Sequence, residues 1–174
     1  MSKDFSHSAR LADPISEARR QWERHGWEEA APGMTAVTTI VRVHQIVTAR
    51  VEEALAPFGL SFARFEILRL LGFSRIGGLP MGKIGERLQV HPASVTSAVK
   101  RLERDGLVRR EVDAVDNRIV LAVLSEEGRG RLIPATKHVN EVFESLGLSR
   151  DELDILTGSL NRIRRLGGDP VTAA

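Results

Sequence analysis

MGKIGERLQVHPASVTSAVKRLERDGLVRREVDAVDNRIVLAVLS, residues 81–125, is the stretch that decides the fold of this chain. Met81, Ile84 and Leu88 recur at three- and four-residue steps, the spacing of a short amphipathic helix. After a tight turn, Pro92 opens a second helix, because proline fits the first helical position, and Gly106 ends it in a left-handed stop. Two strands rich in Val, Ile and Leu follow at about 107–112 and 118–124, joined by a charged tip. A short scaffold helix ahead of a polar, basic one is a shape that lays side chains into a DNA major groove. The hairpin adds a wing whose tip carries Arg118, a residue type suited to a narrow minor groove.

On a helical wheel Val95, Ala98, Val99 and Leu102 share one face of the second helix and are expected to pack inward. Ala93, Ser97, Lys100, Arg101 and Arg104 face outward, with Ser94 and Thr96 on the flanks. Small residues in the N-terminal half let the helix approach base edges. Arg101 is placed to fork onto a guanine, and Lys100 and Arg104 to meet phosphates. Taken alone, such residues are ordinary solvent-facing ones; the preceding helix, the turn and the hairpin favour the DNA reading. At the tip, Asp113-Ala114-Val115-Asp116-Asn117-Arg118 sets two carboxylates close to one arginine. Asp116 is positioned to hold the Arg118 guanidinium in a fixed direction. A plain polar hairpin turn would also use Asp and Asn.

These residues resemble the MarR family of winged-helix regulators over roughly residues 35–166. The most specific part is Leu102-Glu103-Arg104-Asp105-Gly106-Leu107-Val108-Arg109-Arg110, followed by Asp113, Asp116-Asn117-Arg118 and Leu121-Ala122-Val123-Leu124-Ser125-Glu126-Glu127-Gly128. The family usually shows proline at Ala114, arginine at Asn117 and threonine at Ser125, while Asp116 and Arg118, which it uses at the wing, are in place. Gly82 and Gly85 are less usual in its scaffold helix. The resemblance implies a dimer joined through terminal helices, binding inverted repeats. It also implies a repressor released by a small molecule held between the dimer region and the winged helix.

Outside this stretch the chain reads as helical. Asp13-Pro14 starts a short helix bearing Ile15, Ala18 and Trp22, and residues 27–33 read as a connector. Val37, Ile40, Val41, His44, Val47, Val51 and Leu55 stripe a long helix over about 35–56, closed by Pro57 and Gly59. Ser61 caps a helix carrying Phe62, Phe65, Leu68 and Leu71, and residues 77–80 read as a turn. Ser125 caps a long helix that Pro134 is expected to bend, and Ser149 with Glu152 forms a capping box for the last helix. The expected fold is mainly α with a small β-hairpin: an N-terminal extension with a short helix over 1–34, a MarR-type domain over 35–166 and a flexible tail over 167–174. Within the domain, the winged helix-turn-helix spans about 60–124. Dimerisation helices span about 35–56 and 125–166, their excess apolar surface being most economically buried against a symmetric partner.

Bulk composition agrees with one ordinary domain: 174 residues, 42% hydrophobic and 28% charged. The net charge of +2 is small, but residues 87–110 hold Arg87, Lys100, Arg101, Arg104, Arg109 and Arg110 against only Glu103 and Asp105. Such a patch suits phosphates, although a charge run is often a solvated face. The absence of cysteine excludes disulfides and thiolate metal sites and fits a reducing interior. With no leader-like apolar segment, the expectation is a soluble cytoplasmic protein. The five histidines, His7, His25, His44, His91 and His138, show no metal-ligand spacing, and no phosphate loop or nucleophile elbow is present, so neither a metal, a cofactor nor an enzyme is expected.

The expected function is therefore a sequence-specific regulator that binds double-stranded DNA as a homodimer and responds to an aromatic or anionic effector. His44 and Arg64 are conceivable effector contacts, although a histidine there is more often a core or interface residue. Trp22 and Trp27 read as anchors of the N-terminal helix. The alternative is a winged-helix activator, or a protein-interaction module without ligand sensing.

Overall fold

Asp13 and Pro14 act locally as their chemistry requires. The Asp13 carboxylate accepts from the backbone N–H groups of Ile15 and Ser16, both at 3.1 Å, and starts α1 (Pro14–Arg24). The computed structural model describes residues 13–113 and 116–172. What the sequence suggests for residues 1–12, for Ala114 and Val115, and for the last two residues lies outside that range. The chain divides into two units, Met1–Arg50 and Val51–Ala174.

In the first unit the turn after α1 passes through Gly26, whose φ of +80° suits glycine, and Trp22 and Trp27 pack edge to face with ring centroids 5.4 Å apart. The connector is shorter than the sequence suggests, because α2 (Ala31–Leu55) begins before Gly33. Ala31 N–H donates to the Trp27 carbonyl (3.0 Å), so the turn runs straight into the helix. Pro32 is tolerated in a first turn whose N–H groups have no partner within the helix.

The second unit takes the end of α2, a 3₁₀ turn over Ala56–Phe58 and the left-handed Gly59 (φ +62°), then α3 (Phe62–Phe73), capped by Ser61. Gly78–Pro80, which the sequence reads as part of a turn, is a strand, β1, because it pairs with the hairpin's second strand. It is succeeded by α4 (Met81–Leu88), α5 (Pro92–Arg104), β2 (Val108–Val112), β3 (Val120–Leu124), α6 (Glu126–Glu144) and α7 (Arg150–Leu166). The sheet is antiparallel in the order β1-β3-β2, with Gly78 opposite Val123 and Val108 opposite Leu124. A Cβ at Gly78 would lie 3.0 Å from the Val123 side chain, so glycine is what lets this edge strand close up. Because β3 starts at Val120, Arg118 belongs to the turn and not to the strand.

Phe65, Leu68 and Leu71 of α3, Ile84 of α4 and Val95, Val99 and Leu102 of α5 are buried together with Leu107, Val108, Ala122 and Leu124 of the hairpin region. Leu132, Ala135 and Val139 of α6 are buried as well. Ser125 joins the hairpin to α6: its hydroxyl accepts from Gly128 N–H (2.9 Å) and donates to the Gly106 carbonyl (2.7 Å). At Gly128 the helix start touches the chain after α5, for a Cβ there would sit 2.1 Å from the Leu107 carbonyl oxygen. These contacts fix the hairpin relative to α5. In α7 the Ser149–Glu152 capping box is formed and no residue of the helix is buried. No described helix is long and apolar enough to cross a membrane.

Candidate nucleic-acid interface

The outward face of α5 is set by its inward one. With Val95, Val99 and Leu102 buried, helical geometry leaves Ala93, Ser94, Thr96, Ser97, Lys100, Arg101 and Arg104 exposed on one polar surface. Ala98, expected to pack inward, is half-buried at the edge of that surface. The Thr96 hydroxyl donates to the Pro92 carbonyl one turn back (3.0 Å), which fixes it against its own helix. His91 was missed by sequence reasoning: its Nδ1 accepts from Ala93 N–H at 3.2 Å and caps α5. Its signal was its position immediately before Pro92. The turn between α4 and α5 passes through Gln89 at φ +54°, a left-handed conformation that costs a non-glycine residue about 1 kcal/mol.

The two acids of the segment are engaged with arginines. Asp105 meets Arg64 of α3 at 2.9 Å and Arg104 at 3.4 Å, while Glu103 meets Arg110 of β2 at 2.7 Å. Among the described residues Lys100 and Arg101 form no ion pair, so the positive potential of the helix face is left to them. Arg64 also donates to the Gly59 carbonyl at 2.5 Å, which makes it a strut between α3 and the end of α5 and not the free cation an effector would need.

At the wing tip Asp116 accepts from Arg118 three times: Nε to Oδ1 at 3.0 Å, Nη2 to Oδ2 at 2.9 Å, and the Arg118 backbone N–H to Oδ1 at 3.0 Å. The guanidinium hydrogen bond first, and the backbone one second, hold the Asp116 carboxyl below its usual range, and the same contact raises Arg118. The Arg118 side chain is nonetheless 90% exposed. The geometry thus brings together an exposed small-and-basic helix face and an exposed, oriented arginine on the adjoining hairpin. It can place hydrogen-bond donors against base edges and phosphates.

A separate groove runs along α3 where it meets α4 and α6. Phe62, Glu66, Arg69, Phe73, Leu88 and Phe143 line a space of about 270 Å³. The Arg69 guanidinium lies 4.3 Å from the Phe73 ring centre and donates to the Thr136 hydroxyl at 3.3 Å. Its Nε is buried and meets no acceptor among the described residues. Burial pushes the Glu66 carboxyl up. Sequence reasoning missed this groove because its residues read as an ordinary apolar stripe. His44, the other residue considered for an effector, is exposed on α2. No group of three or more metal-ligating side chains occurs among the described residues.

Comparison with known proteins bears on this geometry. Residues 60–120 match the model of the MarR family. The crystal structure of Sco5413, a MarR family transcriptional regulator from Streptomyces coelicolor, is 41% identical, with a TM-score of 0.71 over 79% of this chain and 96% of that one. The HTH-type transcriptional regulator YwaE of Bacillus subtilis is 28% identical over 75% of this chain and 77% of its own length. The organohalide-sensing RdhR-CbdbA1625 transcriptional regulator, in its 2,4-dichlorophenol-bound form, is 25% identical with a TM-score of 0.68, covering 75% of this chain and 78% of that one.

Proposed function

Because this chain belongs to the MarR family of transcriptional regulators, we propose that it reads an inverted-repeat operator as a homodimer and acts as a repressor that a small aromatic acid releases. It is a DNA-binding regulator, and the relatives it matches are regulators and not enzymes. The observation that carries the reading is the exposed α5 face together with Arg118, the one oriented by core packing and the other by Asp116. In this assignment Ala93, Ser94, Thr96 and Ser97 allow close approach and Arg101 reads a base. Lys100 and Arg104 meet phosphates, and Arg118, held by Asp116, enters the minor groove. The polar, basic character of that face argues against a surface made for protein contacts. With DNA as its target, we assign it to the cytoplasm.

Dimerisation is supported in each unit separately. Val37, Ile40, Val41 and Ile46 of α2 are exposed, and so are Ile155, Leu156 and Ile163 of α7. Such apolar helix faces call for a partner, and a two-fold copy supplies one. In domain terms we assign 1–34 to an N-terminal extension, 35–166 to the MarR-type domain and 167–174 to a tail. For the effector, the α3 groove offers aromatic walls beside the Arg69 guanidinium, which together fit an aromatic ring bearing a carboxylate or phenolate. The dichlorophenol held by the related RdhR-CbdbA1625 regulator is of that class. Such a ligand releases DNA only if it binds the DNA-incompetent state more tightly.

A binding-site selection from a randomised duplex pool tests the reading. Wild-type protein should enrich an inverted repeat with half-sites about 10 base pairs apart. An Arg101→Ala protein should enrich a repeat relaxed at one position per half-site. No enrichment by the wild type would overturn the function.

A further inference from the structure

We infer that the crevice between the C-terminal half of α5 and β2 clamps one backbone phosphate of the duplex, with Arg110 as a DNA contact that Glu103 positions. The inference rests on the assignment of α5 to the major groove and Arg118 to the minor groove. Adjacent major and minor grooves of a duplex are separated by a single phosphate strand. A protein inserting α5 into one and the wing tip into the other must straddle that strand, which then passes the surface between helix and hairpin. That surface is a crevice of about 390 Å³ lined by Ser97, Lys100, Arg101, Glu103, Arg104 and Arg110.

Four cations share this crevice with one carboxylate, and the carboxylate is already satisfied. Arg110 donates to the same Glu103 oxygen through Nε at 2.8 Å and Nη2 at 2.7 Å. This side-on contact leaves Arg110 Nη1 with no protein acceptor among the described residues, on a side chain that is 44% exposed. Strand alternation puts Arg110 on the same face of β2 as the buried Val108. The salt bridge therefore holds a partly free guanidinium over the crevice, and a fork of N–H groups suits a phosphate. Glu103 touches no DNA in this arrangement; it is a positioning residue whose own negative charge Arg110 neutralises.

The test compares full-length Glu103→Gln with Glu103→Gln/Arg110→Gln, so that exposing a bare carboxylate cannot mimic a lost contact. The probe is a fluorescein-labelled mixed-sequence duplex of about 30 base pairs, read by anisotropy between about 50 and 200 mM salt. The double variant should bind about five- to tenfold more weakly than Glu103→Gln, and its salt slope should be smaller by about one. Thermal melting of both proteins separates this from unfolding. If the double variant melts below the assay temperature, Glu103→Gln/Arg110→Lys replaces it, with the slope retained and the affinity lowered at least about twofold. Equal affinity and slope to Glu103→Gln, in whichever variant is read, overturns the phosphate clamp while leaving the functional reading intact. A wild-type chain with no affinity for the duplex overturns both.

Discussion

Arg118 and Asp116 are locked together across the wing turn by two side-chain contacts, at 2.9 and 3.0 Å, and by a backbone N–H to the same carboxylate. An exposed arginine ordinarily samples many rotamers, and binding then bears the cost of ordering it. Here the ordering is done in the free protein. Replacing Arg118 with alanine should lower affinity for duplex DNA by about tenfold or more at fixed salt, with the denaturation midpoint unchanged. Asp116→Asn keeps the charge of Arg118 but loosens its direction, so a smaller loss, about threefold, is expected. Anisotropy titration and chemical denaturation check both, and unchanged affinity in Arg118→Ala would refute the wing assignment.

Gly82 and Gly128 should respond oppositely to alanine. A Cβ at Gly82 meets nothing within 4 Å, and the residue lies inside α4, so Gly82→Ala should stabilise the fold by up to about 1 kcal/mol. At Gly128 the added carbon would press on the Leu107 carbonyl oxygen and the Leu124 side chain, so a loss of about 3 kcal/mol is expected. Urea unfolding of the two variants measures both signs.

The exposed apolar face of α7 predicts a self-association that charge abolishes. Sedimentation equilibrium should give wild-type protein at twice the chain mass of 19.2 kDa. Ile155→Asp/Ile163→Asp should run as a monomer and lose the cooperative occupation of two half-sites. A double variant that stays dimeric would place the interface elsewhere.

Acid should weaken the start of α7. Hydrogen bonds from the Ser149 backbone, and then from its hydroxyl, lower the Glu152 carboxyl from its ordinary 4.5. A carboxyl lowered by folding contributes stability that is present above 4.5 and is lost as pH falls through the lower folded value. Glu152→Gln should flatten that part of the acid-unfolding curve, which circular dichroism against pH would show. A curve unchanged by the substitution would remove the capping box from the account.

Punctuation and short spacings were legible because their partners are local. Asp13, Ser61, Ser125 and Ser149 cap helices by reaching backbone two or three residues on, and Gly106 takes the left-handed stop (φ +73°) that the sequence implies. The Asp116–Arg118 clamp was legible for the same reason, being two residues apart on one turn. Contacts between distant segments were not. The strand at Gly78–Pro80 exists because β3 offers it unpaired backbone, and nothing in three residues announces a strand. Arg64 reads as a free cation until Asp105, 41 residues later, is brought to 2.9 Å.

By itself, then, the order of residues determined which segments coil, where each coil stops, and which side of α5 is greasy and which is basic, because 3.6-residue periodicity and capping act within a few positions. The tertiary structure alone decided which charges remain available. Folding pairs Asp105 with Arg64 and Glu103 with Arg110, leaves Lys100 and Arg101 without an ion-pair partner among the described residues, and lays the Arg69 guanidinium over Phe73. The reason is that an ion pair is settled by separations of about 3–4 Å in space, which residue numbering does not encode.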